Sequence, residues 1–171
     1  DGKALLVATY SDSGTKGDLW LVPTTGDARG AIPFQRTKFD ETDGRISPDG
    51  KWVAYNSDES GEVEVYIKPL SDPGASPWRV TSGGGFVPQW GATSSELFYG
   101  NAKRELVAAT LRFTGAGGEV VKTTPLFVVP AFLLSLEASR DGQTFFVTRS
   151  LEMQKLAPLA LVVNWQALLP K

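Results

Sequence analysis

The sequence predicts an all-β fold, a β-propeller fragment of about four blades, each a four-stranded antiparallel sheet, with the end blades incomplete. Three observations carry that expectation. First, Asp-Gly followed by an apolar alternating run recurs as "DGKALLVATYSD" from Asp1, "DGKWVAYNSD" from Asp49 and "DGQTFFVTRS" from Asp141, with a degraded copy, "TSSELFYGN", from Thr93. Second, the copies start 48, 44 and 48 residues apart, and repeats of roughly 40–50 residues built from short strands are how propeller blades appear in sequence. Third, the 171 residues include 18 Gly and 11 Pro, which suits many turns between short elements. A β-sandwich has turns as often, but gives no reason to repeat one motif at near-constant intervals.

The elements follow in order. In copy one the Asp-Gly turn leads directly into strand b, and "SDSGTKGDLWLV" supplies the hairpin into strand c. Copy two is the most complete. Strand a lies in "TDGRIS", strand b runs from Trp52 to Asn56, strand c from Val63 to Pro69 and strand d around Trp78 to Thr81. In strand c, Val63, Val65 and Ile67 alternate with Glu62, Glu64 and Lys68, the pattern of a half-buried pleat. Tyr66 is expected to pack on a neighbouring blade. Copy three has "FVPQWG" as strand a and a compressed hairpin, "YGNAKRELVAATL"; copy four has "LSLEAS" as strand a and Leu159 to Trp165 as strand c. The expected blades are residues 1–40, 41–82, 83–128 and 129–171 of one partial domain, with strand a absent from the first and strand d from the last.

Composition excludes several chemistries. There is no Cys and no His, so the chain alone builds no disulfide, thiolate nucleophile, Cys- or His-ligated metal site, Ser-His-Asp triad or imidazole acid–base step. The net charge of −2 implies no nucleic-acid surface or polybasic membrane patch. No apolar run is long enough for a membrane-spanning helix, and the first residues read as a strand rather than a signal peptide. No cofactor is implied.

"SPDGKWVAYNSDESGEVEVYIKPL", followed by "WRVTSGGGFVPQWGATSSELFYGN", resembles the TolB-like propeller repeat family of bacteria. The resemblance covers essentially the whole chain. It departs from the family pattern in copy three, where Ala92, Thr93 and Ser94 replace Pro-Asp-Gly. The ending, "APLALVVNWQALLPK", resembles the close of such propellers when they follow a bacterial serine/threonine kinase or a winged-helix regulator. The resemblance implies a non-enzymatic sensing or protein-binding module, with a periplasmic or extracytoplasmic location. The alternative is an enzymatic context, either a carboxylate and metal propeller enzyme or the accessory propeller of a peptidase-like hydrolase. The hydrolase form needs a Gly-x-Ser-x-Gly elbow, which this sequence lacks.

An incomplete arc leaves apolar blade faces and strand edges uncovered. The expected partners are therefore another copy, or the missing blades, beside a protein or peptide ligand. Arg45, Gln89 and Glu137 each stand four residues before the Asp-Gly turn or its equivalent, with Asp43, Val87 and Ser135 as a second ring. Strand a lines a propeller's channel, so Arg45, Gln89, Glu137, Asp43 and Ser135 are the ligand-binding candidates; a solvated wall with a weak Arg–Glu pair is the plainer alternative. "NSDESGE" (56–62) lacks a full calcium-ligand set and is expected to be a turn. "SGGGF" (82–86) has no following Gly-Lys-Ser/Thr or helix and is expected to join strands d and a. Trp20, Trp52, Tyr66, Trp90 and Phe98 are expected between blades, while Trp78 and Trp165 are candidates for exposure.

Overall fold

Four antiparallel sheets follow one another along the chain in this computed structural model, which describes residues 2–10, 16–26, 28–115, 117–129, 133–139, 144–149 and 161–163. Sheet 1 contains β1 (Ala4–Tyr10), β2 (Gly17–Pro23) and β3 (Ile32–Gln35). Sheet 2 contains β4 (Thr42–Ile46), β5 (Trp52–Ser57), β6 (Glu64–Pro69) and β7 (Trp78–Arg79). Sheet 3 contains β8 (Gly85–Trp90), β9 (Glu96–Asn101), β10 (Glu105–Thr114) and β11 (Gly117–Val128). Sheet 4 contains β12 (Leu133–Ala138), β13 (Thr144–Arg149) and β14 (Leu161–Val163). Each sheet is a meander, with sequence neighbours paired. The 14 described strands follow the expected order, and among the described residues sheet 1 has no strand a and sheet 4 no strand d.

Turn chemistry leads into strand b of sheet 2. Asp49 Oδ1 accepts bonds from Ser47 Oγ and the Lys51 N–H, while Gly50 takes a positive φ of 70°, a conformation that suits Gly. Burial opposes ionisation of Asp49, but bonds involving Ser47, Ser94 and Lys51 prevail and hold its carboxyl below the usual range. In the degraded copy Gly91 N–H still bonds Glu96 O, so the turn survives without its Asp.

Strand alternation builds the core between sheets. Val53, Tyr55 and Tyr66 face sheet 1 and pack with Leu19 and Phe34. Trp52, Ala54, Val65 and Ile67 face sheet 3, against Trp90, Leu97, Tyr99 and Val107. Val87, Phe98 and Leu106 meet Leu136, Phe145 and Val147 of sheet 4. Close approach between sheets 1 and 2 requires Gly44, where a Cβ would sit 2.7 Å from Leu6 Cδ2 and 3.1 Å from Leu19 Cδ2. Gly44→Ala therefore is expected to lower stability by about 1–3 kcal/mol through overpacking, read as a lower urea midpoint with unchanged far-UV circular dichroism.

The structure corrects three expectations, the third at Trp78 below. Strand c of sheet 2 is not half-buried: all of β6 is buried, including Glu64 and Lys68, each 2 % exposed, whereas Val63 lies outside the strand and is exposed. Both faces are covered because sheets 1 and 3 flank sheet 2. Glu64 accepts Thr81 Oγ1 at 2.5 Å and the Gly83 N–H at 2.7 Å. Lys68 donates to Phe34 O, Gln35 Oε1 and Pro73 O at 3.1, 2.7 and 2.6 Å. Trp20 is the second correction. It pairs with Val7 on the face of sheet 1 turned away from sheet 2, with Arg36 over its ring at 5.6 Å. Tyr66, Trp52, Trp90 and Phe98 do lie between sheets.

The hairpin of β10 and β11 turns at Gly115 and carries Phe113 onto a box of tryptophans. Phe113 stacks on Trp52 with centroids 4.3 Å apart, and meets Trp78 edge-on at 6.1 Å and Trp90 at 6.4 Å. Trp78 is thus half-buried rather than exposed; Trp165 lies outside the described residues.

Candidate functional site

The first strands of sheets 2, 3 and 4 are sheet edges, yet β4 adjoins β8 and β8 adjoins β12. These three strands therefore form the inner side of the arc. A side-chain bond fixes the first junction, Trp90 Nε1 donating to Arg45 O at 2.9 Å. Each inner strand carries a register shift: between Thr42 and Arg45, between Phe86 and Gln89, and between Leu133 and Ser135. Asp43 and Val87 adopt φ values of 52° and 54°. Such bulges bend a strand and re-aim its side chains. A β-branched residue at positive φ is strained, and Val87 is held there by burial against sheet 4. Its side chain consequently leaves the inner surface, unlike that of Asp43.

The structure brings three of the sequence candidates into contact or electrostatic reach. Arg45 Nη2 lies 3.0 Å from Glu137 Oε1, joining β4 to β12. The two side chains are 36% and 57% exposed, so this pair contributes at most about 1 kcal/mol. Asp43 Oδ2 accepts Asn56 Nδ2 at 2.8 Å. Burial raises the Asp43 carboxyl above its usual range, against Arg45 and Asn56, which pull it down. Gln89 is half-buried on β8, its Nε2 reaching Trp90 O at 3.4 Å. Ser135, half-buried, lies opposite Thr148 on β12.

Three polar atoms near these strands are buried without a hydrogen-bond partner: Arg45 Nε, Gln89 Oε1 and Asn56 Oδ1. Buried polar atoms are nearly always partnered, so one donor and two acceptors remain to be satisfied on this inner side. Asn56 was invisible as a site residue in the sequence, because it reads as the end of an apolar strand. Its signal is the polar residue inside "VAYNSD", at a position whose face is otherwise apolar.

The remaining motifs are structural. In "NSDESGE", Gly61 N–H bonds Asp58 O, and Asp58 Oδ1 accepts the Asp40 N–H at 2.9 Å, tying the loop to sheet 1's exit. "SGGGF" joins β7 to β8 and is held by the Gly83–Glu64 bond. Among the described residues no three His, Cys, Asp or Glu side chains gather as a metal-binding group. No described helix is long and apolar enough to cross a membrane.

No protein-family model and no curated protein matches the sequence. Solved structures do. TolB from Acinetobacter baumannii aligns with a TM-score of 0.68 at 13% identity, covering 95% of this chain and 38% of that one. A putative TolB from Agrobacterium tumefaciens gives 0.61 at 17% identity, over 84% of this chain and 53% of that one. The fold is that of a TolB-like β-propeller. A prolyl endopeptidase shares it more loosely, with a TM-score of 0.55 at 16% identity over 85% of this chain and 24% of the enzyme. The TolB-like arc thus spans between about a quarter and about a half of these proteins' lengths. Among the described residues the four sheets form no closed barrel.

Proposed function

We propose that this TolB-like arc is a non-enzymatic binding module whose inner surface takes a protein or peptide segment. One observation supports the reading above others: Arg45 Nε offers a donor, and Gln89 Oε1 and Asn56 Oδ1 offer acceptors, all buried and unpartnered beside the Arg45–Glu137 pair. An extended peptide carries alternating N–H and C=O groups and matches both demands. Asp43, Arg45, Gln89 and Glu137 are the proposed contacts, with Ser135 at the periphery. An accessory role beside a hydrolase remains the second reading. It takes its support from the fold shared with the prolyl endopeptidase, and it requires a catalytic domain in another segment or chain.

Selection of a displayed random-peptide library on the 171-residue chain tests the proposal. Peptides are expected to enrich and to bind about tenfold more weakly to Arg45→Met and Gln89→Leu. Both variants keep the bond from Trp90, which reaches the Arg45 main chain. Failure to enrich, or binding indifferent to both substitutions, refutes an inner-surface site.

A further inference from the structure

We propose that the cleft between sheets 1 and 2 binds a neutral aromatic ring system the size of indole. The proposal rests on two internal junctions of the arc and is independent of the inner-surface reading above.

The junction between sheets 2 and 3 is filled by rings. Trp52, Trp78 and Trp90 surround Phe113 there, with Leu111 buried in the same cluster. Strand register gives the counterpart of each residue one sheet earlier. Trp52 opens strand b opposite Pro69, as Ala4 does opposite Pro23. Trp78 pairs with Ile67 as Ile32 pairs with Leu21. Trp90 and Ile46 each end strand a. Ala4, Ile32 and Ile46 therefore stand at the three tryptophan positions of the junction between sheets 1 and 2. Ala4 is exposed, and Ile32 and Ile46 are 51% and 37% exposed, against 7 % for Trp52 and 4 % for Trp90. Leu70 takes the place of Leu111, each following the residue opposite the start of strand b. The place of Phe113 receives no ring, because β10 runs on to Thr114 whereas β6 ends at Pro69 and Asp72 stands at the matching position.

Small side chains at these positions leave a cleft of about 480 Å³, lined by Ala4, Leu21, Ile46 and Leu70 and bordered by Lys3 and Asp49. Small-molecule pockets span about 300–1,000 Å³ and are mostly apolar with a few polar groups. Both walls of the cleft belong to described sheets. No residue of β4 joins the apolar cluster of the filled junction, so on the same pattern a strand a of sheet 1 adds nothing to this one. The occupant follows from the filled junction, where the same position between two sheets holds the flat ring of Phe113. A planar ring lies between two sheet faces and buries both of its sides against Leu21, Ile46 and Leu70. Lys3 and Asp49 carry opposite charges and are exposed, so the border favours neither an anion nor a cation.

Titration of the 171-residue chain with indole, followed by amide NMR, is the test. The signals of Ala4, Leu21, Ile46 and Leu70 are expected to shift together, with a dissociation constant of about 0.1–1 mM. Ala4→Trp places an indole where sheet 2 carries Trp52 and is expected to weaken binding roughly tenfold by filling the cleft. Ile46→Asp puts a charge on the apolar wall and is expected to weaken it as much. Both replace exposed side chains, so far-UV circular dichroism is expected to stay unchanged. Val63→Asp, at an exposed position outside the cleft, binds indole as the wild type does. The wild-type titration stands without any variant: no shift at the four lining residues up to about 5 mM indole, well above the expected constant, overturns the proposal. So does a response centred on Trp52, Trp78 and Trp90, or binding that survives both Ala4→Trp and Ile46→Asp undiminished.

Discussion

Trp52→Ala is expected to lower the unfolding free energy by about 3–5 kcal/mol. The indole is 7 % exposed and belongs to the cluster between sheets 2 and 3. One ring face lies on Phe113, 4.3 Å between centroids. Its removal opens a cavity that cannot collapse easily, because the Phe113 ring is also set against Trp78 and Trp90. Stacked aromatic pairs add about 0.5–1.5 kcal/mol beyond area burial. Phe113→Leu keeps much of the volume and loses the ring contacts, so its expected cost is smaller, about 1–2 kcal/mol. Urea unfolding followed by circular dichroism measures both. A Trp52→Ala loss below about 1 kcal/mol contradicts the packing described here.

Lys68→Ala is expected to cost about 3 kcal/mol, from the orphaned acceptors and the lost stem packing. Its ammonium is buried, sits 4.8 Å from the Phe34 ring centroid and satisfies three oxygens that belong to sheet 1 and to the loop after β6. Lys68→Met keeps the apolar stem and isolates the loss of the donors. Removing water from the ammonium lowers the Lys68 pKa below its ordinary 10.5, against Asp72, Glu41 and Glu59, which raise it. A depressed folded-state value means that the folded protein releases the proton earlier than the unfolded chain. The wild type accordingly gains stability from this group as pH rises from the depressed pKa towards 10.5, and loses that gain on acidification. Lys68→Met lacks the term. The difference in urea midpoint between wild type and Lys68→Met should therefore move in favour of the wild type between neutral pH and about pH 10. A constant difference rules out Lys68 as its source.

Much of the architecture was legible because turn chemistry is local. Asp49 bonds its own neighbours, so "SPDGK" announces a turn wherever it stands, and the spacing of its copies gives the repeat. Even copy three was readable, since the alternation in "ELFYGN" persists where the turn residues do not. Strand c was misread for a physical reason. Alternating Glu and Lys normally signals a solvated face, but a sheet flanked on both sides has no solvated face, and Glu64 and Lys68 are kept inside by specific partners. Apart from Pro73 in the loop after β6, those partners come from β3 and from the segment around Thr81 and Gly83, far from β6 in sequence.

The inner surface was legible in position and not in detail. Distance from the turn placed Arg45 and Glu137 on equivalent strands, and they meet. The register shifts decided the rest: Val87 holds a left-handed conformation as Asp43 does, yet turns into the core. A bulge is set by how one strand lies against the next sheet, which no local pattern in "FVPQWG" encodes. Trp20 was misplaced because the repeat is read as if every blade had two neighbours, and sheet 1 has sheet 2 on one face alone among the described residues.

The hairpin bearing Phe113 has a consequence for how the arc comes apart. By laying a ring of sheet 3 across tryptophans of sheets 2 and 3, it couples the two central blades beyond their shared flat contact. They then open together, as one cooperative unit. Sheet 1, joined to this pair by a smaller apolar cluster and the Lys68 bonds to Phe34 and Gln35, has no such aromatic clasp, and it is expected to open at a lower free energy than the central pair.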